Sequence, residues 1–519
     1  MPIKRHMLWL KFLIGALYLL AIGFVVLHFE PGIYASNLLA GLSDGQPLAD
    51  LIKRSGEEGA GVLWILLLFL LKHLGLSIKG ILYVQALLAL TFGWTILKKK
   101  HPGLFLQILL LCSPGVLVYW AWLSPLPLLG LAWTAGFYFW RKSPGLSILA
   151  LAFAAGLSFT GAIASGVAML LLMADYFIGL SAGKTKPFTY GLGFLSMLAF
   201  IWVGVSVLFL SPHYNHEHLR LIDQEPVTYG LWQLANGMYP LAMPKIGFEM
   251  VWMQPNLNLF FLTPLMLLVP LSIIECRGKL FALLAVGLTL FLCLFLSPYI
   301  AYSQMPERAS ALSVFWICVI LWQDAAQPLL GKTKAWWQWL EHKSRILRYT
   351  VLAPLACSGI WLSYNAATTT YSPAKELTEW VQDRSDATKT IMVWPQHHAS
   401  LLSARLNRPV WSPGRGNLIW RRDPNRKPTD IGEEELMKRL HADPKIQKEE
   451  GCLLITQVLL NEHQVDAGGI VYADQSIYVR YLRNWAYGNG YQESLYAAYS
   501  VQPNPRGHIK YRVPAARRQ

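Results

Sequence analysis

The sequence is poor in charge: 14% of its 519 residues are Asp, Glu, Lys or Arg, against about 25% in ordinary globular chains. With 54% hydrophobic residues and a mean hydropathy of +0.35, that shortage excludes a disordered or ordinary soluble protein. Cysteine is scarce as well. Five of the six (Cys112, Cys276, Cys293, Cys318 and Cys357) lie in or beside apolar segments and Cys452 stands alone, which excludes a disulfide framework and a CxxC metal site. No N-x-[ST] sequon occurs, which favours a bacterial inner membrane over a secretory-pathway membrane. The basic N-terminus MPIKRHMLWLKFLIGALYLLAIGFVVL has no small-residue cleavage site and reads as an uncleaved spanning helix.

What is present is a series of apolar runs, at 8–28, 80–97, 103–122, 126–140, 146–160, 163–179, 188–210, 257–274, 279–297, 309–323 and 347–363. The formal net charge of +15 sits largely in short clusters between them. This is the mark of topology through positive cytoplasmic loops and gives no reason to expect nucleic acid. A twelfth run, GVLWILLLFLLKHLG at 61–75, decides the parity. If it spans, Lys98–Lys100 fall outside; if it lies along the outer interface, every basic loop is cytoplasmic. The expected fold is therefore a polytopic α-helical membrane protein of about eleven spans plus a juxtamembrane helix, with the N-terminus cytoplasmic. Residues 1–363 form the transmembrane domain, with a first outer loop at 29–79, and 364–519 a small C-terminal α/β domain on the extracytoplasmic (periplasmic) side. In the latter, TIMVW and CLLITQVLL read as buried strands, HHASLLSARLN and IGEEELMKRLH as helices, and IVYADQSIYVRYL as alternating β structure.

The loop after the first run carries Glu30-Pro-Gly-Ile-Tyr34, then Gly45-Gln-Pro47-Leu-Ala-Asp50, then the apolar stretch Val62 to Gly75. This arrangement resembles the first extracytoplasmic loop of the GT-C membrane glycosyltransferases, nearest the branch of aminoarabinose transferases and protein O-mannosyltransferases. The stretches SPGVLVYWAWLSPLPLLGLAWTAGFYFW and TIMVWPQHHASLLSARLNRPVW are similar to that family's middle helices and outer domain. The resemblance implies inverting transfer of a sugar from a polyprenyl-phosphate carrier to a glycan, lipid or protein acceptor, at a site bathed by membrane lipids.

Such chemistry needs one base to take the proton of the attacking group and cations to meet the leaving phosphate. Glu30, at the outer rim of the first span, is the expected base. Family members carry an acidic pair there, whereas here Pro31 replaces the second member, and the turn Leu123-Ser124-Pro125-Leu126-Pro127 has no acid where another is usual. Either Glu30 works alone, or Asp44 or Asp50 compensates, or the chain keeps the scaffold without the chemistry. The last case is a non-catalytic subunit that docks a partner; a lipid or polysaccharide transporter is the other alternative. For substrate binding the candidates are Tyr34, Arg54, Lys72 and Arg308, and Arg308 suits bidentate phosphate recognition best. No cofactor is required by this scheme, a divalent cation being the alternative. His213, His216, Glu217 and His218 crowd one outer loop, but their spacing is no closed zinc pattern and hard cations prefer carboxylates. Trp120, Trp122, Trp232 and Trp252 are expected to anchor at the outer interface.

Overall fold

The computed structural model describes residues 2–28, 48–49, 52, 61–98, 103–140, 142–181, 190–210, 306–323, 335–368, 374–384, 390–394, 402–403, 406, 408, 410–413, 418–419, 431–443, 446, 451–456, 459–460, 469–486 and 495–504. The chain is mostly helical with one small sheet, and it divides into two compact units, Met1–Phe29 with Pro47–Thr368 and Glu30–Gln46 with Thr369–Gln519.

The first unit holds α1 (Pro2–His28), α2 (Val62–His73), α3 (Ile78–Lys98), α4 (Leu104–Leu111), α5 (Pro114–Leu117), a 3-10 turn (Tyr119–Trp122), α6 (Leu126–Phe139), α7 (Pro144–Ala155), α8 (Phe159–Ser181), α9 (Tyr190–Leu210), α10 (Pro306–Gln323) and α11 (Ala335–Thr368). Among the described residues only Leu8–Leu27 and Lys79–Lys98 are long and apolar enough to cross a bilayer by themselves. The expected run at 126–140 becomes a helix of 14 residues and that at 146–160 one of 12, about 21 and 18 Å long. The run at 103–122 is not one helix. Ser113 precedes Pro114, whose ring disfavours helical backbone at the residue before it, and Ser113 is extended at φ −64°, ψ 145°. The helix stops and a new one begins with the proline in its first turn.

Side-chain contacts fix how these helices run. Lys11 Nζ donates to Leu97 O (2.7 Å) and Tyr18 OH to Ala89 O (3.3 Å), so α1 and α3 are antiparallel. Gln85 meets Ser124 while the Phe92 ring packs on Gly130, so α3 and α6 are parallel. Trp133 Nε1 donates to Ser165 Oγ (3.0 Å) and Trp140 meets Tyr176, so α8 runs with α6. Trp202 Nε1 donates to Ala152 O (2.9 Å) and Leu195 lies by Gly145, so α9 runs with α7. Hence α3, α6 and α8 run one way, and α1, α7 and α9 the other. One end of this unit therefore gathers the end of α1, the start of α3, the turn before α6 and the α7–α8 connection.

The second unit is an α/β/α layer structure. It comprises α12 (Ala374–Gln382), β1 (Ile391–Trp394), β2 (Val410–Trp411), β3 (Leu418–Ile419), α13 (Glu433–Ala442), β4 (Cys452–Thr456), β5 (Ile470–Ala473), β6 (Ile477–Ala486) and β7 (Leu495–Pro503). The sheet order is β3-β2-β1-β4-β7-β6-β5, with β2, β1 and β4 parallel and the other pairings antiparallel. Leu377 and Val381 of α12 pack with Val393, Ile455, Tyr496 and Ala498 on one face. Leu436, Met437 and Leu440 of α13 pack with Met392, Leu454, Tyr499 and Val501 on the other. Each such leucine removed from water contributes about 2 kcal/mol.

Candidate functional site at one end of the helical unit

The segment 61–75 is where the structure is most informative. Gly61 N donates to Leu157 O (3.0 Å) and Leu63 N to Gly156 O (2.9 Å), so α2 starts against the α7–α8 connection. A Cβ on Gly61 would collide with the Gly156 carbonyl, so only glycine lets the two backbones meet. At its other end α2 closes with Leu74 N bonded to Leu70 O and Gly75 N to Lys72 O, Gly75 taking φ +79°. After Leu76 and Ser77, α3 begins. The α7–α8 connection and the start of α3 belong to the same end of the bundle, so both termini of α2 lie there and the helix runs along that end.

Beneath α2 lies the turn that enters α6. Trp64, 2% exposed, donates its indole N–H to Leu123 O (3.1 Å), and Gln85, also 2% exposed, donates Nε2 to Ser124 O (3.3 Å). Two successive carbonyls of one turn are thus held by two different helices. Leu123 takes φ 54° and ψ 35°, the one non-glycine residue with positive φ among those described. Left-handed backbone in a leucine costs about 1 kcal/mol or more and persists only where its surroundings over-determine it. Gln85 Oε1 is buried without a hydrogen-bond partner, an acceptor that some donor could still satisfy.

Lys72 falls in the last turn of α2, half-buried, beside exposed His73, whose ring stacks on Phe69 at 4.9 Å. Bases at a helix C-terminus complement its dipole. Arg308 is in the first turn of α10. Glu30, Tyr34, Asp44, Asp50 and Arg54 lie outside the described residues, as do His213, His216, Glu217 and His218. Among the described residues no three His, Cys, Asp or Glu side chains gather as a metal site.

Trp120 corrects the sequence-based expectation. It is fully buried and donates Nε1 to Leu117 O (2.9 Å), so it packs inside the bundle and anchors no interface. Sequence reasoning passed over Trp64 and Gln85. The signal for Gln85 was a single amide in an otherwise apolar helix (ILYVQALLAL); nothing marked Trp64 among so many tryptophans. No family model, curated protein or solved structure matches the chain.

Proposed function

We propose that the chain is a multi-pass inner-membrane glycosyltransferase of the GT-C type, moving a sugar from a polyprenyl phosphate to an acceptor at the outer face. The observation that carries this reading is the placement of α2. A short apolar helix laid along one end of a helical unit, directly after the loop that holds Glu30, is what an outer-face site for a lipid-borne donor requires. The donor's tail stays in the bilayer while its phosphate meets the rim.

In this reading the gathered end faces the periplasm. Glu30 takes the proton of the acceptor nucleophile as the anomeric carbon passes from phosphate to acceptor. Arg308, Lys72 and Arg54 neutralise the departing phosphate, which leaves without needing a proton. Tyr34 contacts the substrate, and Asp44 or Asp50 supplies the second carboxylate that Pro31 displaces. The turn at Leu123–Pro127, held by Trp64 and Gln85, forms the floor. The test is transfer by the purified full-length protein supplied with polyprenyl-phosphate-linked aminoarabinose or hexose. Glu30→Gln should lower it by about 100-fold or more, with expression unchanged; undiminished transfer removes Glu30 from the base role.

A second reading has its own observation. The turn at Leu123–Pro127 carries no acid and Pro31 breaks the pair, as in a scaffold that docks a partner without catalysis. It predicts no turnover of any carrier-linked sugar and stable co-purification of another subunit.

A further inference from the structure

A separate cluster in the second unit has the chemistry of a nucleophilic site. His441 lies in the last turn of α13, and Asp474 and Ser476 lie in the turn between β5 and β6. His441 Nδ1 is 3.1 Å from Asp474 Oδ2, and His441 Nε2 is 3.4 Å from Ser476 Oγ.

The tautomer follows from the partners. An ionised carboxylate can only accept, so Nδ1 carries the proton and Nε2 turns its lone pair to the serine hydroxyl. Asp474 is fixed on both oxygens: Oδ1 accepts from Ser476 N (2.7 Å) and Ile477 N (2.8 Å), and Oδ2 also accepts from Tyr472 OH (2.9 Å). Partial burial alone would raise its carboxyl, but the amides of Ile477 and Ser476, with His441 and Tyr472, outweigh that and hold it below the usual carboxylate range. Tyr472 is pushed up to about 12, by burial and by the same carboxylate, so it stays a donor. The turn itself is pinned: Asn504 N donates to Ser476 O (2.7 Å) and Asn504 Nδ2 to Asp474 O (2.5 Å). The His441 side chain is 51% exposed and Ser476 half-buried, so an incoming group can reach both.

We infer that Ser476, His441 and Asp474 form a serine-nucleophile site that takes acyl esters, independent of sugar transfer. Ser476 Oγ attacks the ester carbonyl as its proton passes to His441 Nε2; the O–acyl bond to serine forms and the ester C–O bond breaks. The alcohol leaves with that proton. Water then splits the acyl-serine by the same route, returning free serine and a carboxylic acid. Asp474 is a positioning residue that holds the imidazole in this orientation and tautomer. A hydroxyl contact of 3.4 Å is long, and such contacts tighten when substrate arrives.

The full-length protein in detergent micelles, treated with a fluorophosphonate reagent, tests this directly. Attack forms the Ser476 Oγ–P bond and expels fluoride. Mass mapping of the unmutated protein should place the adduct on Ser476. Because only a neutral imidazole accepts a proton, acid should slow labelling. Ser476→Ala should abolish it, and His441→Ala should slow it about 100-fold with recovery on adding imidazole. Asp474→Asn should slow labelling and alter its pH profile. No adduct on Ser476 in the unmutated protein, or one whose rate ignores both pH and His441→Ala, would overturn the inference.

Discussion

Leu123 sets two opposing effects at a single residue. Its side chain is 4% exposed, so truncation to alanine forfeits burial worth about 2–5 kcal/mol. Its φ of 54° is a conformation that glycine adopts freely and alanine does not. In an ordinary buried position glycine is the worse replacement; here Leu123→Gly should be no less stable than Leu123→Ala, by about 1 kcal/mol in its favour. Thermal unfolding of the two variants in detergent measures the difference, and a clear advantage for alanine would show that the left-handed backbone is not maintained. None of this could be read from WLSPLP, because leucine gives no sign of a left-handed backbone. The serine site was equally hidden. Asp474 and Ser476 were read as part of an alternating β segment, and His441 belongs to an amphipathic helix, so only the fold brings the imidazole to that turn.

The elements recovered from sequence are those whose burial is one-sided or whose ends are punctuated. The helix at Glu433–Ala442 shows three glutamates in its first turn and Arg439 and His441 in its last, around buried Leu436, Met437 and Leu440. The strands at Ile391–Trp394 and Cys452–Thr456 are short unbroken apolar runs. β7 went unread because it is buried on both faces: Tyr496 and Ala498 meet α12, while Ala497, Tyr499 and Val501 meet α13. No polar alternation survives such burial, and the paired alanines carry little strand preference. α12 also escaped notice, being short and mostly polar outside Leu377, Trp380 and Val381. The break in the run at 103–122 was written in Ser113-Pro114, but hydropathy outweighed it. That break is gripped by a neighbour. A Cβ at Gly359 of α11 would land on Cys112 O, with Cys112 C and Pro114 N close behind. Backbone cannot yield as a flexible side chain can, so Gly359→Ala should destabilise the helical unit by about 1–3 kcal/mol. Thermal unfolding checks it; an unchanged midpoint would mean that the two segments are not in contact.

At the scale of the whole molecule, α2 makes sidedness measurable. Alkaline phosphatase, active only outside the cytoplasm, fused after Ser77 should be active if 61–75 lies along the outer face, and inactive if that segment crosses. Fusions after Lys98 should be inactive in the first case and active in the second. The apolar surfaces of the helical unit speak for a lipid surround: Leu8, Phe12, Leu20 and Leu27 of α1, and Phe194, Met197 and Ile201 of α9, are all exposed. Composition and charge placement are what lead to the expectation of that environment. The loop expected to hold the base is singled out only by its resemblance to a family, since a lone Glu30 beside a helix end has no physical signature of catalysis. The strand order of the second unit has a further meaning for biosynthesis. β7 follows the other described strands in the chain, yet it sits between β4 and β6. Until Leu495–Pro503 has emerged, the parallel half of the sheet and the β5–β6 hairpin have nothing to join them. The domain must therefore wait, as two unsealed halves with open edges, until Leu495–Pro503 has been made and has paired on both sides.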